Sequence, residues 1–137
     1  MKTTKEEIEY ILKGRGAQVK EAINRLQTIL YIEDFEKIES QLWETLVLLE
    51  EHPFQTAKGL NYFYKIKGNE IFFSRKEKSV TRASVGIALK KAIELQKSGI
   101  MIKGPKMLKC FGASYLYPVF IKIGVIDLEI DNRQKDN

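Results

Sequence analysis

Hydrophobic and polar positions follow two different periods along this chain, and the change falls near Leu60. Val19, Ala22, Ile23, Leu26, Ile29 and Leu30 recur at three- and four-residue spacing, one face of an amphipathic helix. A second stripe, Phe35, Ile38, Leu42, Leu46 and Leu49, begins after Asp34 and is widened by Trp43, Val47 and Leu48. The acidic start at Asp34 suits the helix dipole. The stripe ends at His52-Pro53, because a residue before proline resists helical dihedrals. Upstream, Thr4-Lys5-Glu6-Glu7 matches a capping box ahead of a short apolar face of Ile8, Ile11 and Leu12, which Gly14-Arg15-Gly16 interrupts.

After a linker at 54–58 the period drops to two. Leu60 to Ile66 and Ile71 to Arg75 flank Lys67-Gly68-Asn69-Glu70, a β-hairpin whose Gly68-Asn69 suits a type II′ turn. This register sets Ile66 opposite Ile71, Tyr64 opposite Phe73 and Tyr62 opposite Arg75, with Leu60 on the same core face. The other face carries Lys67/Glu70, Lys65/Phe72 and Phe63/Ser74. A helix follows from Ser79 or Thr81, both good caps, with Val85, Ala88, Leu89, Ala92, Ile93 and Gln96 along one side and Ser98-Gly99 as its stop. Ile100 to Ile102 reads as a short strand added to the hairpin. Pro105 to Phe111 reads as a short helix, and Ser114 to Ile123 as a last apolar one.

These elements make an α+β fold: two to three N-terminal helices, a β-hairpin or small antiparallel sheet, then two to three C-terminal helices. They divide into a helical segment at 1–53, a hairpin-plus-helices core at 54–131 and a frayed tail at 132–137. A two-helix hairpin cannot by itself bury Trp43, Val47 and Leu48. Either the front helices take part in a homodimer, the favoured reading, or they cover the sheet of a monomer.

Composition narrows the function classes. At 137 residues with 44% hydrophobic and 30% charged positions, the chain is globular. One cysteine, Cys110, allows no internal disulfide, and neither a secretory signal nor an apolar run of membrane-spanning length is visible, so a reducing, cytoplasmic setting without a membrane partner is expected. The net charge of +5 hides an asymmetry. Residues 1–52 hold 7 basic and 11 acidic side chains; residues 53–137 hold 16 and 7. Such an excess suits a phosphate-bearing partner, or is simply a solvated surface.

Catalysis finds little support. The only histidine, His52, sits at a helix end, and Cys110 in an apolar turn. Zinc-ligand spacings, phosphate-binding glycine loops and dinucleotide fingerprints are absent, so no catalytic residue, metal or cofactor is expected.

Binding is better supplied. Arg75, Lys76, Lys78, Ser79, Thr81, Arg82 and Ser84 gather cations and hydroxyls at a helix start, where free amides favour an anion. Lys65, Lys67, Lys90, Lys91, Lys103, Lys106 and Lys109 widen that field. The outer hairpin face, with Lys65, Lys67, Phe63 and Phe72, reads as a ribbon or stacking platform, or, by preference, as a surface whose two phenylalanines lie in the core under the N-terminal helices. The segment from the 82–97 helix to the 105–111 helix has a helix–turn–helix outline with Lys103, Lys106 and Lys109 on its second helix, although the turn is long for that motif.

The expected function is a small non-enzymatic nucleic-acid-binding regulator, with DNA favoured over RNA. The alternative is an inhibitor or adaptor that binds a protein through the acidic helices or the apolar C-terminal stretch. A third reading is an enzyme using the joint at 74–82 as a phosphate clamp. The runs Ser79-Val80-Thr81-Arg82 and Phe111-Gly112-Ala113-Ser114-Tyr115 have the look of signatures without an attached function.

Overall fold

The computed structural model describes residues 15–128. The helix read at Thr4 to Leu12 and the tail at 132–137 lie outside the described residues. The fold is α+β: two helices, small antiparallel sheets, then two further helices separated by a 3-10 turn.

Helix α1 (Gly16–Ile29) and helix α2 (Phe35–Leu48) pack against each other along the stripes seen in the sequence. Asp34 caps α2 by accepting from the Lys37 amide at 3.1 Å. Between the helices the buried Gln41 amide donates to the Ala22 carbonyl, and the Thr45 hydroxyl donates to the Gln41 carbonyl, so neither polar side chain is left unpaired in the core. Helix α2 ends at Leu48, short of the His52-Pro53 stop read from the sequence. Glu51 takes a left-handed conformation (φ 70°), and its amide donates to the Tyr64 carbonyl. The demand to join the sheet therefore turns the chain before proline does.

Strands β1 (Phe54–Gln55) and β2 (Asn61–Tyr62) form one short ladder. Strands β3 (Tyr64–Lys67), β4 (Glu70–Phe73) and β5 (Val80–Thr81) form a three-stranded sheet in that order. The β3–β4 register has Tyr64 opposite Phe73, Lys65 opposite Phe72, Ile66 opposite Ile71 and Lys67 opposite Glu70, as the alternation requires. Gly68 has φ 57° whereas Asn69 stays at negative φ, the combination that a type II′ turn needs and a type I′ turn excludes.

Several expectations for this region are corrected. Tyr62 pairs with Phe54 across the small ladder rather than with Arg75, and Leu60 is exposed. The third strand is Val80–Thr81, not Ile100 to Ile102. The edge of β4 is taken by the chain entering the next helix, and Ile102 goes into the core without joining a ladder. Phe63 and Phe72 are not covered: they are 42% and 40% exposed. The helices pack on the opposite face, where the Tyr64 hydroxyl donates to the α2 carbonyl of Leu46 at 2.6 Å. An antiparallel sheet needs only one covered face.

Helix α3 (Arg82–Lys97) follows β5 without a loop and buries the predicted stripe. Its buried Gln96 is fully used: its amide donates to the Val125 carbonyl and the Tyr31 hydroxyl, and its oxygen accepts from the Asp127 amide. The expected helix from Pro105 to Phe111 is only a 3-10 turn, Pro105–Leu108, because Lys109 goes left-handed (φ 49°) immediately after it. Helix α4 (Ala113–Lys122) contains Pro118 and buries Leu116, Val119 and Phe120. Trp43 is buried within the chain, whereas Val47 stays 40% exposed. One core cluster draws on α1, α2, both sheets, α3 and α4.

Candidate nucleic-acid interface

Two helix N-termini meet at the joint after the hairpin, and they are built differently. At the start of α3, Thr81 accepts from the Ser84 amide at 3.1 Å and donates to the Ser84 hydroxyl. The Arg82 amide donates to the Asn69 carbonyl in the hairpin turn at 2.7 Å. Two of the first-turn amides expected to be free, those of Arg82 and Ser84, are thus already engaged. Acids sit here too. Arg82 makes a two-pronged pair with Glu39 of α2, Nε to Oε2 and Nη2 to Oε1, both 2.8 Å. The guanidinium also faces the Trp43 ring, 5.0 Å from its centroid. This hydrogen-bonded carboxylate raises the Arg82 pKa further, so the charge is permanent. The Ser79 hydroxyl donates to Glu70 at 2.6 Å. Arg82, Ser79 and Thr81 are therefore committed within the fold, and an anion at α3 would approach Glu39 and Glu70.

The start of α4 carries neither a side-chain cap nor an acid in its first turn. Its N-cap, Gly112, has φ 81°, and a Cβ built there would stand 2.5 Å from Cγ2 of the buried Val80. Only glycine permits this approach, which seats α4 directly on strand β5. Aromatic packing secures it: Phe73 stacks on Tyr115 at 5.3 Å, Tyr62 meets Tyr115 edge-on at 5.1 Å, and the Tyr62 hydroxyl donates to the Tyr115 carbonyl at 2.6 Å. Burial pushes the Tyr62 and Tyr64 hydroxyls well above the ordinary phenol range, so both stay neutral donors. The Tyr115 hydroxyl reaches the Arg75 carbonyl at 3.4 Å, which ties α4 to the basic joint as well.

In front of this terminus lies a cavity of about 310 Å³ lined by Lys76, Lys106, Lys109, Phe111 and Ser114, among others. Among the described residues no carboxylate lines it. Lys76 comes from the joint, Lys106 and Lys109 from the 3-10 turn and its left-handed exit, so residues thirty apart in sequence share one pocket. The Lys76 ammonium lies 3.8 Å above the centre of the half-exposed Phe111 ring, which holds the charge at the cavity edge. Cys110 also lines the cavity; burial raises its thiol pKa, which leaves it a poor nucleophile at neutral pH.

The remaining predicted cations scatter. Arg75 and Lys78 are exposed on the joint loop. Lys65 pairs with Glu51 at 3.6 Å across exposed surface, a contact of small energetic weight, and Lys67 is exposed at the hairpin end. Lys90 lines a different groove, about 570 Å³, with Phe35, Glu36, Glu39, Arg82 and Ile87; Lys91 is half-buried on α3 and Lys103 exposed before the 3-10 turn. The helix–turn–helix outline is not formed, since one 3-10 turn cannot serve as a recognition helix. The apolar stretch offered as a protein-docking segment is largely spent in the core, where Leu116, Val119, Phe120, Ile123, Val125 and Ile126 are buried.

Phe111, Gly112 and Ser114 are the site residues that charge counting missed, although they lie in a run whose composition already stood out. Among the described residues no cluster of histidine, cysteine and acidic side chains is placed to hold a metal, and no helix is long and apolar enough to cross a membrane. Comparisons with protein-family models, curated proteins and solved structures find no match.

Proposed function

We propose that this protein is a non-enzymatic nucleic-acid-binding protein that takes phosphate groups of the backbone at the N-terminus of α4. The observation that carries the reading is the convergence of Lys76, Lys106 and Lys109 on one cavity that no acid among the described residues lines, before a helix start without a side-chain cap. Oriented amides and ammonium groups together favour a phosphate oxygen over a neutral ligand. Arg75 and Lys78 on the adjoining loop extend the positive field, with Lys103 and Lys67 beyond them. Arg82, Ser79 and Thr81 belong to the framework of the joint in this reading. Backbone contacts of this kind position a strand without reading its bases.

Binding to random-sequence DNA over a salt series tests it. Affinity falls steeply as salt rises, and replacing Lys76, Lys106 and Lys109 together with alanine makes the log–log slope shallower by about three, roughly one per lost phosphate contact. Absence of binding at about 50 mM salt, where screening is weak, removes the reading. So does a slope that the triple variant leaves unchanged.

A further inference from the structure

Helices α2 and α3 run antiparallel, as two contacts show. Arg82 pairs with Glu39; one turn further along α3, Gly86 faces the ring of Phe35, one turn back along α2. Between the helices lies the groove of about 570 Å³. Ile87 lines it and is 58% exposed, the most exposed large apolar side chain on the described helices; the exposed Phe35 lines it too. Gly86 sits in the second turn of α3, where glycine weakens a helix relative to alanine. A Cβ built there would meet only the tip of the Phe35 ring, at 4.0 Å, so packing within the chain does not require glycine. The bare backbone leaves room for a close approach from outside. The charges are sorted by wall: Glu36 and Glu39 on α2, Arg82 and Lys90 on α3. Glu39 and Arg82 neutralise each other, whereas among the described residues Glu36 and Lys90 form no ion pair.

From this arrangement we infer that two copies of the chain associate through this groove, about a two-fold axis that runs along it. Such an axis lays the α2 wall of each copy over the α3 wall of the other. Glu36 of one copy then faces Lys90 of the other, twice over, and Ile87 of each copy enters the opposite groove between Phe35 and Gly86. The surface supplies its own complement: a projection and a hollow, an unpaired acid and an unpaired base. A partner of a single charge sign would set like charge against one wall. A wholly apolar partner would strip water from Glu36 and Lys90 and put nothing in its place. With only two large apolar side chains per copy at its centre the dimer is weak, dissociating in the range of about 10–100 µM. The groove shares no residue with the lysine cavity, so this inference stands or falls apart from the phosphate reading.

Sedimentation velocity of the full chain, free of nucleic acid, over about 2–500 µM tests it. The wild-type chain passes from monomer to dimer across this range. Ile87→Lys, a change at exposed surface, keeps the melting temperature measured on dilute protein and stays monomeric at the highest concentration. Glu36→Lys and Lys90→Glu each weaken association about tenfold, because like charges then meet across the axis. An equimolar mixture of these two variants associates at least about tenfold more tightly than either alone, since opposite charges meet again at both contacts. A pairing of Glu36 with Lys90 inside one chain cannot produce that rescue. A wild-type chain that stays monomeric throughout overturns the inference; if Ile87→Lys also melts earlier, another part of the same chain fills the groove instead. A dimer that Ile87→Lys leaves intact, or a mixture no tighter than its components, overturns it as well. So does capture of a different protein through the groove by a chain that does not self-associate.

Discussion

The starts of α3 and α4 lie side by side at the joint, and they differ in how far their polar side chains already have partners. The α3 start has the richer sequence: cations, hydroxyls and a capping threonine within a few residues. Its groups satisfy one another, Thr81 with Ser84, Arg82 with Glu39 and Ser79 with Glu70. The α4 start looks plain in sequence, yet glycine, the absence of a capping acid and lysines from two other segments leave it unneutralised. On the proposed reading, the anion-binding capacity of a helix end depends less on the number of cations near it than on which of them already have partners.

The harshest way to break this contrast is Gly112→Ala. A methyl group pressed against Val80 in a left-handed backbone must push α4 off the strand, so we expect a loss of about 2–4 kcal/mol in urea unfolding. Nucleic-acid binding is lost along with the seating of the cavity. Removing Lys76, Lys106 and Lys109 leaves the fold intact and lowers affinity about 100-fold near 0.1 M salt, read by anisotropy. Arg82→Ala shows the reverse: lower stability with an unchanged salt slope.

Alkali attacks the tyrosine contacts beneath α4 and α2. Tyr62 and Tyr64 hold their protons more tightly when folded than when unfolded. Their contribution is therefore complete below the unfolded value near 10 and is lost as pH rises through the folded value, since the unfolded chain releases its protons first. Thermal melts should show stability falling above about pH 10, by about 1 kcal/mol per tyrosine at pH 11. Phenylalanine at both positions removes their share of this pH dependence and leaves that of Cys110 and Tyr117, whose pKa values burial also raises.

A comparably sized effect sharpens the contrast from the other side. Glu39→Gln weakens the pair with Arg82 and costs about 1–2 kcal/mol in denaturant unfolding. Combined with Glu70→Gln it unmasks the α3 start, so the salt slope of nucleic-acid binding steepens by about one. A slope that stays put would mean that the acids are not what silences α3. The smallest change is Thr81→Ala, about 1 kcal/mol from the lost cap, with affinity unaltered.

Much of the architecture was legible from local pattern. The stripes of α1, α2 and α3, the helix start near Asp34, Thr81 as one of two offered caps, and the hairpin with its turn and its register from Tyr64 to Phe73 all follow from side-chain periodicity and backbone preference over a few residues. The misreadings came where packing across the fold competes with such signals. Glu51 turned the chain ahead of Pro53, Val80–Thr81 took the β4 edge from Ile100 to Ile102, and Lys109 cut a helix down to one 3-10 turn.

The candidate site divides in the same way. The sequence by itself determined the basic half of the chain and named Lys76, Lys106 and Lys109 among many lysines, because charge is carried by composition. Only the tertiary structure decided which charges remain available. Glu39 silences Arg82 from 43 residues away, and Gly112 brings the lysines' cavity onto strand β5. The front helices cover one face of the sheet and leave Phe63 and Phe72 open on the other. Partnership and exposure are properties of long-range contacts, and no local window of the sequence contains both members of such a contact.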